Sequence, residues 1–216
     1  MLVRERMTVH PVTITQDTSV PDALRIMRER KVRRLPVLDS HGHLVGIVSD
    51  KDLLHAAPSP ATTLAIWEIT DLLAKLKVSK IMTREVITVT EDTPLEEAAC
   101  LMADHKIGGL PVMREKTLVG IITETDLFKS LLELMGGRRP GVRMTVLVQG
   151  VKGTLAKVTE AIFGVGGNIV GLGILEMTST SSPQWEIMLK VQDVDADTLV
   201  AAVRPVVSEI VDVRQT

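Results

Sequence analysis

Aromatic side chains are almost absent from this sequence. Its 216 residues include no Tyr, two Phe and two Trp. The core must therefore be aliphatic, and stacking of bases on aromatic platforms, the device of single-strand nucleic-acid binders, is excluded as the main ligand chemistry. A single cysteine, Cys100, excludes an internal disulfide framework and fits a reducing compartment. The formal net charge is −2 and the pI about 6.2, so there is no overall basic footprint for DNA or RNA. No apolar run reaches the roughly 18 residues of a membrane span, and Met1-Leu2-Val3-Arg4 does not open a signal peptide. The expected location is the cytoplasm, with neither nucleic acid nor membrane as partner.

Catalytic apparatus is missing as well. His10, His41, His43, His55 and His105 are scattered, with no H-E-x-x-H spacing and no Cys-x-x-Cys pair. There is no G-x-S-x-G elbow and no P-loop. Gly164-Val165-Gly166-Gly167 follows a helical pattern and precedes a strand pattern, which is not the order of a dinucleotide fingerprint. The expectation is a non-enzyme, with no catalytic residues, metal or catalytic cofactor.

What the sequence does contain is a duplication. Leu44-Val45-Gly46-Ile47-Val48-Ser49-Asp50-Lys51-Asp52-Leu53 returns as Leu118-Val119-Gly120-Ile121-Ile122-Thr123-Glu124-Thr125-Asp126-Leu127. Upstream, an offset of 75 residues carries Met7-Thr8 to Met82-Thr83, Met27 to Met102 and Leu35-Pro36-Val37 to Leu110-Pro111-Val112; after one deletion the offset is 74. Each copy reads as β-α-β-β-α. Val20, Ala23, Leu24 and Met27, and again Leu95, Ala98, Ala99 and Met102, fall at i, i+3, i+4 and i+7, one face of a helix. Thr93-Pro94-Leu95-Glu96 is expected to form a capping box. Cys100 is expected in that helix as a buried small hydrophobe. Gly42 marks the turn of a hairpin, with His41 and His43 as surface polar residues.

Pro58-Ser59-Pro60 breaks the pattern, and Leu64, Trp67, Leu72 and Leu76 then suggest an amphipathic connecting helix. Gly136-Gly137-Arg138-Arg139-Pro140-Gly141 reads as a linker. The last 75 or so residues follow the order β-α-β-β-α-β, a ferredoxin-like layout. The expected organisation is residues 1–57, first repeat; 58–80, connecting helix; 81–135, second repeat; 136–142, linker; and 143–216, a separate domain, in an α/β (α+β) chain.

The Met-Thr starts, the Leu-Pro-Val triplets and the paired Gly-Ile-Val-Ser-Asp-Lys-Asp-Leu motif resemble a tandem pair of CBS domains. Gly153-Thr154-Leu155-Ala156 and the Gly166-Gly167-Asn168-Ile169 turn resemble an ACT domain. The order CBS–CBS–ACT resembles the bacterial acetoin-utilization protein AcuB family. The resemblance implies two CBS repeats about a pseudo-twofold axis, a homodimer, and clefts for a regulatory adenine compound: AMP, ADP, ATP, S-adenosylmethionine or NAD.

By that resemblance Ser49 with Asp52, and Thr123 with Asp126, are the nucleotide contacts. The chemistry is suitable: a carboxylate accepts from both ribose hydroxyls, and a helix N-terminus with a hydroxyl receives phosphate. The same residue types also make helix caps, which alone would explain them. Arg33 and Arg34 close a basic cluster that is either a phosphate contact or a solvated helix end; Gly109 stands opposite Arg34 in the second copy, so the clefts are expected to be inequivalent. For the ACT-like part, an amino-acid ligand maps to Gly153, Asn168 and Ile169. Lys152 stands where that pattern has Pro or a polar acceptor, so a purely structural pairing stands beside it. The functional expectation is a non-catalytic sensor that binds adenine nucleotide and changes packing or assembly. Its alternative is a constitutive dimeric interaction protein with empty clefts and an unidentified protein target.

Overall fold

The computed structural model describes residues 1–56, 75–177 and 183–216. The chain divides into two compact units, Met1–Leu127 and Phe128–Thr216. The expected connecting helix over 58–80 lies mostly outside the described residues, Trp67 included.

In the first unit β1 (Thr8–Val9) precedes the first repeat proper: β2 (Ile14–Thr15), α1 (Val20–Arg30), β3 (Arg34–Leu38), β4 (Leu44–Ser49) and α2 (Asp50–His55). The second repeat follows as β5 (Val89–Thr90), α3 (Leu95–His105), β6 (Gly109–Arg114), β7 (Thr117–Thr123) and α4 (Glu124–Leu134). The β-α-β-β-α order is thus present twice. In each copy the first strand runs parallel and the third antiparallel to the middle one. Helix α1 starts at Ser19, whose Oγ accepts from the Asp22 N–H, and buries Val20, Ala23 and Met27. Helix α3 buries the equivalent Leu95, Ala98 and Met102.

Two local expectations fail. Pro94, with no side-chain acceptor, is the N-cap of α3, and the Thr93 hydroxyl instead accepts from the Thr90 N–H, so the expected capping box is a turn contact. Cys100 is exposed: it sits on the helix face opposite the buried stripe.

The repeats are fastened by exchange. Thr8 and Val9 of β1 pair with Ile121 and Gly120 of β7, in the other repeat. Thr83 reciprocates by pairing with Ile47 of β4, with bonds of 3.0 and 2.9 Å in the two directions. Val3, ahead of the first repeat, is fully buried in the core of the second; Val78, ahead of the second, is fully buried in the core of the first. The opening segment of each repeat therefore completes its neighbour in a pseudo-twofold arrangement.

The second unit carries β8 (Val142–Gln149), α5 (Thr154–Gly164), β9 (Asn168–Met177), β10 (Gln184–Gln192), α6 (Ala196–Val203) and β11 (Glu209–Gln215). The order is β-α-β-β-α-β, in one antiparallel sheet ordered β11-β8-β10-β9. Met144, Val146 and Val148 of β8 alternate into a core closed by Val158 and Ile162 of α5 and Leu199 and Val203 of α6. The division between units falls inside α4, not at 136–142, because the chain just past α4 belongs to the second unit: a Cβ on Gly171 of β9 would lie 2.7 Å from the Gly136 nitrogen. No helix among the described residues is long and apolar enough to cross a membrane.

Candidate functional site

In both repeats a strand passes directly into a helix. β4 ends at Ser49 and α2 begins at Asp50; β7 ends at Thr123 and α4 begins at Glu124. At the first junction Asp52 Oδ2 accepts from the Ser49 N–H at 2.8 Å and the Ser49 hydroxyl at 2.7 Å, while Ser49 Oγ accepts from the Asp52 N–H at 3.3 Å. At the second, Asp126 Oδ2 accepts from the Thr123 N–H at 3.0 Å and its hydroxyl at 2.7 Å. The capping geometry anticipated as the plain explanation is therefore complete at the first junction, and at the second its carboxylate half is present. It also fixes each carboxylate at the head of its helix.

Both junctions open onto cavities. Cleft one, about 510 Å³, has Thr123 and Asp126 on one wall and Thr8, Lys31 and Arg33 on the other. Cleft two, about 400 Å³, has Ser49 and Asp52 facing Thr83, Lys106 and Gly108. These are the same positions taken once from each repeat. Apolar lining is matched too: Val32 and Ile121 in cleft one, Ile107 and Ile47 in cleft two. Each cleft thus sets aliphatic walls beside a hydroxyl and an anchored carboxylate. That combination accepts a flat apolar ring without aromatic stacking and offers an acceptor to paired hydroxyls. A larger and more open depression of about 800 Å³, lined by His43, Arg84 and Lys116 among others, lies away from both junctions.

Backbone strain marks the same walls. Lys31 and Lys106 end α1 and α3 at φ 53° and 54°, a left-handed position where Gly or Asn is the usual residue. His10, on the wall of cleft one, has φ 49°.

The clefts differ in charge placement. Arg33 lines cleft one, with Nη2 3.5 Å from Thr125 Oγ1 in the first turn of α4. Its counterpart in cleft two is Gly108, and the counterpart of Thr125 is Lys51. Arg34 borders both cavities. The two Ser/Thr–Asp pairs thus lie in separate clefts, and the basic cluster borders a cleft wall while Lys31 and Arg33 stay exposed. Thr8, Thr83, Lys31, Lys106 and Thr125 went unselected in the sequence; the first four were findable as repeat-matched polar residues outside the helical faces.

Gly153, Asn168 and Ile169 are not brought together within the chain. Gly153 precedes α5 and Asn168 follows it, so they lie at opposite ends of an eleven-residue helix about 16 Å long. No three His, Cys, Asp or Glu side chains converge among the described residues.

Comparison with known proteins adds the following. The CBS domain family model matches residues 3–59 and 78–133, together just over half of the chain. A CBS domain-containing protein of Dictyostelium discoideum is 36% identical over 136 residues, covering 62% of this chain and 94% of its own length. L-aspartate semialdehyde sulfurtransferase of Methanocaldococcus jannaschii is 32% identical over 141 residues, 64% of this chain but only 24% of the sulfurtransferase. Among solved structures, the CBS domain pair of protein MJ0100, in complex with 5'-methylthioadenosine and S-adenosyl-L-methionine, is 31% identical with a TM-score of 0.52, covering 64% of this chain and 98% of that one. A candidate acetoin utilization protein (AcuB) of Vibrio cholerae is 33% identical with a TM-score of 0.53, covering 64% and 95%.

Proposed function

Since the chain belongs to the CBS-domain family and carries the domain twice, we propose that it is a non-catalytic sensor whose two clefts take an adenosine-bearing ligand. The observation that carries this reading is the duplicated cleft: matched aliphatic walls beside a fixed carboxylate, built from the same positions of each repeat. Asp126 in cleft one and Asp52 in cleft two receive the ribose hydroxyls, and the aliphatic walls take the adenine. Arg33 and Arg34 receive phosphate where the ligand has one. AMP, ADP, ATP, NAD, S-adenosylmethionine and its methylthioadenosine relative are the candidates; the last two are supported by the ligands of the MJ0100 pair. Binding acts on packing because each cleft is walled by both repeats, so a ligand with different affinity for two repeat arrangements shifts the balance between them. The second unit is read as an ACT-like domain that reports this state, in an AcuB-like homodimer in the cytoplasm.

One observation favours a second reading. Each aspartate already spends Oδ2 on its own helix cap, so the junctions are explained without a ligand. On that view the clefts stay empty and the molecule is an assembly protein that docks a protein target.

Thermal unfolding of the purified chain with each candidate separates the two. A ligand at about 100 times its dissociation constant adds roughly 2.7 kcal/mol, a shift on the order of 5–10 °C for a chain this size. The sensor reading expects such a shift with at least one candidate, reduced in Asp126→Asn or Asp52→Asn. No shift with any of them would leave the assembly reading.

A further inference from the structure

Arg34 opens β3 opposite Ser49, and its counterpart Gly109 opens β6 opposite Thr123. One copy has a long cation at this position and the other has no side chain at all. The arginine uses the space thus left. It runs across the second repeat, so that a Cβ on Gly109 would lie 3.2 Å from Arg34 Cδ, and a Cβ on Gly108 would overlap the guanidinium itself. The side chain is only 24% exposed and borders cleft one and cleft two together. At its tip, Nη2 is 3.9 Å from Glu124 Oε2, a loose pairing with a carboxylate that is 59% exposed. A pair of that kind holds a side chain weakly. The guanidinium therefore rests lightly, in a slot made by two glycines, on the wall between two cavities.

We propose that the two clefts share this one arginine and are negatively coupled for phosphate-bearing adenosine ligands, while remaining uncoupled for neutral ones. The proposal rests on the adenosine-ligand reading above. A guanidinium presents one planar fork and makes a bidentate contact with one phosphate at a time. A phosphate in cleft one draws it off Gly108 and away from cleft two, and the reverse holds by linkage. Each cleft keeps cations of its own, Lys31 and Arg33 in one and Lys51 and Lys106 in the other. The second phosphate is thus bound more weakly, not refused. Two phosphates in neighbouring clefts also repel through space whatever Arg34 does, so the test must separate the two effects.

Calorimetric titration of the full chain with AMP and with adenosine does so. In the unsubstituted protein AMP should bind in two steps about tenfold or more apart beyond the statistical factor, within the usual 5- to 150-fold range of coupling. Adenosine should show only the statistical factor. Arg34→Gln should weaken the first AMP step and close most of the gap. An unsubstituted protein that fills a single AMP site overturns the proposal, since the second phosphate is to be weakened and not refused. An AMP gap unchanged in Arg34→Gln, or no gap in the unsubstituted protein, also overturns it and leaves the sensor reading standing. Failure of AMP and adenosine alike to bind overturns the sensor reading, and the coupling falls with it.

Discussion

The turn from α1 to β3 reads Lys31-Val32-Arg33-Arg34, and the same turn in the second repeat, from α3 to β6, reads Lys106-Ile107-Gly108-Gly109. The lysines keep even their strained backbone, φ 53° and 54°, and the apolar residue after each lines a cleft. The last two positions exchange two cations for two glycines. Elsewhere the copies agree where they hold one another: Gly46 lies under Met82 and Thr83, and Gly120 under Met7 and Thr8. Positions that make the exchange between repeats are duplicated, because each half needs the other's opening strand. The two cleft-wall positions of Arg33 and Arg34 have diverged to Gly108 and Gly109, because the fold does not require them to match.

The largest expected effect tests the duplicated part. A Cβ on Gly46 would lie 2.6 Å from Met82 Sδ and 3.0 Å from the Thr83 carbonyl; on Gly120, 2.5 Å from Met7 Sδ and 3.2 Å from the Thr8 carbonyl. The methionine can turn aside but the backbone carbonyl cannot. Gly46→Ala and Gly120→Ala should each cost about 1–3 kcal/mol, the range for overpacking a tight site. Urea unfolding should give nearly equal losses for the two. Met82→Ala added to the first, and Met7→Ala added to the second, should cost less than additivity requires. A loss at one glycine and none at the other would show that the repeats are not fastened alike.

A middle-sized effect separates capping from ligand contact. Ser49→Ala removes an N-cap acceptor, at about 1 kcal/mol without ligand, and Thr123→Ala removes a hydroxyl that donates to Asp126 Oδ2. If the hydroxyls are caps alone, ligand-induced stabilisation survives both substitutions unchanged. If they also touch ligand, the variant loses that stabilisation in its own cleft. Loss in Thr123→Ala but not in Ser49→Ala would identify cleft one as the occupied site, which is the outcome its arginines favour.

Much of this was legible in the sequence, for identifiable reasons. Helices α1 and α3 announce themselves because Val20, Ala23, Met27 and Leu95, Ala98, Met102 must share a face. The order of the second unit follows from alternating apolar residues such as Met144, Val146 and Val148. The exposure of Cys100 was misread because its helix faces both a core and solvent, and a lone cysteine does not say which. The exchange of Val3 and Val78 between cores was invisible, since periodicity fixes which residues are buried and not whose core they enter. Arg34 was visible as a charge, but its slot depends on two glycines of the other repeat, 74 and 75 residues away, and only tertiary packing joins them.

The smallest effect is an acid-range difference between the copies. Asp39, in the hairpin of the first repeat, accepts from the His41 N–H at 2.8 Å and the His43 N–H at 2.9 Å. Its counterpart is Arg114, which instead makes a two-pronged contact with Glu91 at 2.7 and 2.9 Å. The His43 backbone N–H is the main cause that holds the Asp39 carboxyl below its ordinary range, and the Arg114 hydrogen bond does the same for Glu91. A carboxyl whose folded pKa is lowered binds protons more readily in the unfolded state. Its contribution is therefore fully present above the ordinary carboxylate pKa of about 4, and is lost as pH falls through the lowered folded value. Stability measured by urea unfolding at stepped pH should decline in that window, and Asp39→Asn and Glu91→Gln should each flatten the decline slightly. Salt distinguishes them: 0.5 M NaCl should weaken most the part due to Glu91, whose main partner is the Arg114 cation, and less the part due to Asp39, whose main partner is a backbone N–H with the His43 ring 3.3 Å away as a lesser one. Equal salt sensitivity of the two would mean that the hairpins differ in sequence without differing in physics.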